Sequence, residues 1–182
     1  MAIVTIFKNI QETEAPFHRE VQVVLTRIKD GATKDLVKKI RKETNKSDRN
    51  ELKKKLPAIC FSGLFNKRND SSIMGHSGLI CLDFDGYPKT KELLEHKEKL
   101  TKDKYVYSVF ISPSGNGLKV LVKIPSEIEN HKNYFNSLNT HFDSSYFDKM
   151  CSNVSRVCYE SYDPLIYSNE NSSLWDKIED LF

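Results

Sequence analysis

The sequence predicts an α+β fold with an antiparallel sheet at its centre. Three observations carry this. Leu79-Ile80-Cys81-Leu82-Asp83-Phe84-Asp85 is an apolar run of strand length, closed by Gly86 and Pro88. Val106–Ile111 and Leu118–Ile124 flank Ser112-Pro113-Ser114-Gly115-Asn116-Gly117, which reads as a hairpin with its turn. Apolar residues at helical spacing, not strand spacing, fill the segments between the other strand-like runs.

Taken in order, Ala2–Phe7 reads as a first strand. His18–Asp30 places Val21, Val24, Leu25 and Ile28 on one helical face and ends near Gly31. Thr33–Thr44 does the same with Leu36, Val37 and Ile40. Ser47 is the expected N-cap of a third helix reaching Leu56, stopped by Pro57. Ala58–Phe61 is a short strand and Gly63–Gly75 a polar loop. After the Leu79–Asp85 strand, Lys89–Leu100 is a helix with Leu93, Leu94 and Leu100 turned inward. The hairpin follows, and then a helix over His131–Phe142 with Tyr134, Phe135, Leu138 and Phe142 on one side. Val154–Tyr159 is the last core strand, and Leu174–Phe182 a helix docked by Trp175 and Ile178. From Leu79 onward the order is β-α-β-β-α-β, the ferredoxin-like arrangement, with helices on one sheet face and the other face open. Residues 1–66 form an α-rich basic subdomain and 67–182 the subdomain carrying the chemistry, within one domain.

Composition narrows the class. With 38% hydrophobic and 29% charged residues the chain reads as a soluble globular protein, expected in the cytoplasm. No apolar run approaches the roughly 20 residues of a membrane helix, so no membrane partner is expected. Cys60, Cys81, Cys151 and Cys158 contain no Cys-x-x-Cys pair, which argues against a zinc site and for reduced thiols. The net charge is only +3, yet Lys34–Lys55 holds ten Lys/Arg against four Asp/Glu. That local excess marks Lys38, Lys42, Lys53, Lys54 and Lys55 as candidate nucleic-acid contacts beside an acidic site elsewhere.

Three groups of residues carry chemistry. In a strand, residues i and i+2 share a face, so Asp83 and Asp85 project together about 6.5 Å apart along the strand, opposite Ile80, Leu82 and Phe84. Two such carboxylates repel unless a divalent cation joins them, and Mg2+ or Mn2+ is the expected cofactor. Gly115 and Gly117 permit backbone shapes that gather N–H groups on an anion, with Ser112, Ser114 and Asn116 as side-chain donors. Alternation along Leu118–Ile124 puts Lys119 on the face of Asp83 and Asp85. Asp148 is placed to close a three-carboxylate site, and Arg156 offers a fork for phosphate. Together they predict metal-dependent nucleotidyl transfer, with two ions activating a 3′-hydroxyl and carrying the phosphates.

These residues also carry a family likeness. Lys55-Leu56-Pro57-Ala58 through Phe61-Ser62-Gly63, Ser77-Gly78-Leu79 through Asp85, Ser112 through Lys119, and Ser155-Arg156-Val157-Cys158-Tyr159 through Ser161-Tyr162-Asp163-Pro164 resemble the archaeo-eukaryotic primase superfamily. Within it, the chain is most similar to the N-terminal domains of virulence-associated E type phage and mobile-element proteins. The resemblance implies an N-terminal α/β unit packed on an RNA-recognition-motif-like catalytic unit. It implies that Asp83, Asp85 and Asp148 hold the metals and that the loop to Lys119 contacts the incoming nucleotide. Its implied partners are a single-stranded DNA template, NTP or dNTP, and a replicative helicase as a further candidate. Many members of the superfamily have a histidine where this chain has Lys119. Two other readings stand beside it. One is a single-stranded DNA or origin-binding replication module without catalysis. The other is a phosphatase of the haloacid-dehalogenase type, which shares the Asp-x-Asp-Gly strand end but needs a parallel sheet.

Overall fold

The computed structural model describes residues 2–178. It is an α+β structure with five helices and two four-stranded sheets, and every strand pairing is antiparallel. The parallel sheet that the phosphatase reading requires is absent among the described residues. No described helix is long and apolar enough to cross a membrane.

The first sheet contains β1 (Ile3–Phe7), β2 (Phe17–Glu20), β3 (Ala58–Cys60) and β9 (Cys158–Tyr159), in the order β2-β1-β3-β9. Phe17–Glu20 was expected to lie partly in a helix; register with β1 makes it a strand, and α1 (Val21–Asp30) begins only after it. Gly31 ends α1 in the left-handed conformation, which glycine adopts without strain. Helices α2 (Lys34–Lys42) and α3 (Lys46–Lys53) follow. The N-cap of α3 is Asn45, whose side-chain oxygen accepts from the N–H groups of Ser47 and Asp48. Val37, Ile40 and Leu56 form their small core. The Gly63–Gly75 region is more than a loop. It contains β4 (Gly63–Phe65) and leads into β5 (Ile73–His76), a hairpin whose Phe65 packs on Phe7 and Cys60.

The second sheet contains β6 (Leu79–Asp85), β7 (Val106–Ile111), β8 (Gly117–Lys123) and β10 (Tyr167–Ser168), in the order β10-β7-β8-β6. Helices α4 (Thr90–Thr101) and α5 (His131–Phe142) cover one face, through Ile80, Leu82 and Phe84 of β6 against Leu93, Leu100, Tyr134, Phe135 and Leu138. Leu94, expected inward, is exposed. The fourth strand of the β-α-β-β-α-β unit is not Val154–Tyr159. Phe147 makes an antiparallel bridge to Phe84 on the free edge of β6, with the Asp85 N–H donating to the Tyr146 carbonyl and the Asp148 N–H to the Asp83 carbonyl. The unit's spatial order is thus Phe147-β6-β8-β7, and Cys158 and Tyr159 cross over to pair with β3 instead.

The face opposite α4 and α5 is not open. Leu79, Tyr107, Phe110 and Leu121 pack there against Val4, Ile59, Phe61, Cys158 and the buried side of α1. The helix expected over Leu174–Phe182 does not form in residues 174–178; the remainder lies outside the described residues. Trp175 is nevertheless buried, its indole N–H donating to the Ser137 hydroxyl.

Candidate active site

Alternation along β6 sends Ile80, Leu82 and Phe84 into the helix-covered core and leaves Cys81, Asp83 and Asp85 on the side facing the first sheet. Register places Lys119 of β8 directly across from Asp83, and Gly117 across from Asp85. The Lys119 ammonium forms an ion pair with Asp83 Oδ2, both side chains being largely buried. Burial alone would lower the Lys119 pKa, but the Asp83 carboxylate together with the nearby Cys158 and Cys81 outweighs it and the pKa is raised. The other Asp83 oxygen, Oδ1, is buried without a partner among the described residues.

The edge bridge at Phe147 delivers the third carboxylate. Asp148 is fixed to β6 by its backbone N–H, and its side chain accepts from the Met150 N–H at 2.9 Å and from the Cys151 thiol at 2.9 Å. Partial burial opposes its ionisation, but these hydrogen bonds and the nearby Arg156 and Lys119 hold its pKa below the usual value. One ligand atom from each of Asp83, Asp148 and Cys151 lies within 4.8 Å of the others. Asp85 stands apart from that group, and burial together with the Asp83 charge raises its pKa.

A cleft of about 270 Å³ joins these groups, lined among others by Lys53, Asp83, Asp85, Ser112, Ser114, Lys119, Asp148, Cys151 and Arg156. Its walls come from both sheets, α3 and the hairpin. Lys53, from the basic run, reaches into it, and burial lowers its pKa. Lys38, Lys42, Lys54 and Lys55 are exposed and do not line it. Arg156 sits in a turn, not a strand, and donates to the Met150 carbonyl.

The hairpin contributes less backbone than expected. The Gly115 N–H donates to the Ser112 carbonyl and the Ser112 N–H to the Gly117 carbonyl, so neither is available to an anion. Asn116 is exposed, and Gly115 lies against Arg41, whose guanidinium donates to the carbonyls of Ser112 and Tyr162. Gly117 has a different duty: a Cβ there would collide with the Asp85 carboxylate. Ser112 and Ser114 do line the cleft, and the Ser112 hydroxyl is buried without a partner among the described residues.

Sequence reasoning missed Cys151 and Arg41. Cys151 was covered only by the general expectation of reduced thiols; only its spacing of three from Asp148 hinted at a shared site. A larger hollow, about 400 Å³, lies toward the other end of β8 beside Gln22, Tyr107 and Lys123. Two of its polar side chains are already engaged, Gln22 with the Tyr107 hydroxyl and Lys123 with the Glu170 carbonyl.

The family model of the BT4734-like, N-terminal domain matches residues 51–167, a span that holds every residue named above as lining the cleft. The chain belongs to the BT4734-like, N-terminal domain family. No curated protein and no solved structure matches it. In this BT4734-like domain the matched span begins inside α3 and ends at the first residue of β10, so it includes β3 and β9 of the first sheet along with most of the second.

Proposed function

We propose that this BT4734-like domain is a primase-type nucleotidyltransferase that extends or initiates strands on single-stranded DNA in phage or mobile-element replication. The observation that carries the reading is the convergence of Asp83, Asp148, Lys119, Lys53 and Arg156 on one cleft from distant parts of the chain. Carboxylates and cations in one wall suit a metal-bound triphosphate, since the acids hold the ion and the cations take the phosphates. The β-α-β-β-α-β unit packed on an N-terminal sheet is compatible with the primase fold suggested by the sequence likeness.

The donor set fits a divalent ion. Asp83 Oδ1 is a buried acceptor lacking a partner among the described residues, and Asp148 lies beside it. A bound divalent ion, Mg2+ or Mn2+ on the sequence expectation, would neutralise phosphate charge and acidify an attacking hydroxyl. Lys119 holds Asp83 in place and presents a fixed charge toward the cleft. Arg156 and Lys53 line the same cleft, and the exposed lysines of α2 and α3 offer charge to a template strand.

The Lys119–Asp83 ion pair also favours a second reading, a single-stranded DNA-binding replication module in which the acids only position lysines. One experiment separates the two. Primer synthesis and extension are measured on single-stranded template with Mg2+ or Mn2+, for the wild type and for Asp83→Ala with Asp85→Ala. Nucleotidyl transfer predicts product from the wild type and none from the folded double variant. No product with either metal, together with unchanged strand binding by the variant, rules out catalysis.

A further inference from the structure

The cleft contains a ligand set that its carboxylates alone do not describe. Asp83 Oδ2 is taken by the Lys119 ammonium, leaving only Oδ1 for another cation. The Asp148 turn is closed by the Met150 N–H, which brings the Cys151 Sγ back to Asp148 Oδ2. Cys151, not Asp85, completes the group of three within 4.8 Å. The Asp85 carboxylate is packed over Gly117. Ser112, only 5% exposed, adds to the same cleft a hydroxyl with no partner among the described residues.

The charges argue about number as well as kind. Three carboxylates line the cleft, and Lys53, Lys119 and Arg156 already balance them formally. A second dication would have to share Asp83 with an ammonium that is pinned there by register. Mg2+ takes oxygen ligands and sheds water reluctantly, whereas Zn2+ and Co2+ accept carboxylate and thiolate together.

We propose that this site holds one divalent ion of the sulfur-accepting kind, bound by Asp83, Asp148 and the Cys151 thiolate, with Lys119 supplying the positive charge a second ion would bring. This rests on the metal site of the proposed function and alters its ion. As the metal–sulfur bond forms, the thiol proton leaves to solvent and no electron is transferred.

Titration of the whole chain with Co2+, followed by absorbance, reads ion number and sulfur ligation together. The wild type should saturate at one equivalent and develop a thiolate-to-cobalt charge-transfer band. Cys151→Ser, checked for fold by circular dichroism, should lose the band. Saturation at two equivalents, no band, or a band that survives Cys151→Ser overturns the proposal and leaves a carboxylate metal site standing. No binding of Co2+, Mn2+ or Mg2+ by the wild type overturns the metal site itself. A measurement on the wild type alone guards against a misfolded variant. Zn2+ should slow iodoacetamide labelling of Cys151 about tenfold, since a metal-bound thiolate is withheld from the reagent. Labelling unaffected by Zn2+ counts against the thiolate ligand.

Discussion

Gly117 lacks a side chain at the point where the Asp85 carboxylate lies across the backbone of β8. Gly117→Ala must therefore push that carboxylate away or shift the end of β6. The expected cost is about 1–3 kcal/mol, as for other overpacked positions, read as a lowered urea midpoint. Asp163 shows a different use of a carboxylate. It is buried, accepts from the Lys97 ammonium at 2.6 Å and from the Ile111 N–H at 2.9 Å, and so fastens α4 to the end of β7. The alternation of β6 made Asp83 readable from sequence. The Lys119 partnership followed from strand register, which no run of residues displays.

At the scale of elements, the β4–β5 hairpin is joined to α5 by two histidines. His76 Nε2 and His131 Nδ1 lie 3.0 Å apart, and the Gly78 N–H donates to His76 Nδ1. That pattern assigns the shared proton to His76 Nε2 when both rings are neutral. Burial pushes both pKa values down from 6.5 to about 4, with the neighbouring His76 adding to the effect on His131. The unfolded chain then binds more protons than the folded one between those values. Stability is fully present above pH 6.5 and is lost as pH falls toward 4, by up to about 1.4 kcal/mol per histidine for each unit. Urea midpoints measured from pH 7 to pH 4 should fall, and His131→Leu should flatten the profile. A profile unchanged by His131→Leu would count against the pair as its source.

The strands show where legibility ends. Val157 and Tyr159 share one face opposite Arg156, which suggests a strand, yet only Cys158–Tyr159 pairs, because β3 offers a free edge there. The fourth strand of the β-α-β-β-α-β unit is a single bridge at Phe147, too short to leave a pattern. In β4 and β5, pairing is interrupted by polar residues that conceal the contacts of Phe65 and Ile73.

For the whole molecule, the division at residue 66 does not follow the packing. β9 belongs by sequence to the second half but pairs with β3 of the first, and Leu79, Phe110 and Leu121 need α1 and β1 to bury them. A fragment spanning 67–182 is therefore expected to lose cooperative unfolding and to bind the dye ANS, while the full chain unfolds in one transition. Trp175 provides an internal gauge as the one tryptophan in the chain, packed edge-on against Tyr105. A red shift of its emission before the main transition would show the tail detaching on its own.

The guanidinium of Arg41 has one further consequence. It ties α2 to both Ser112 and Tyr162 through carbonyl oxygens, so the basic helix and the hairpin move as a strut and its footing. On the proposed function, a template strand held by the lysines of α2 would exert tension on the loop that borders the cleft. Occupancy on the outside of the molecule would thereby be transmitted to its interior through one planar group.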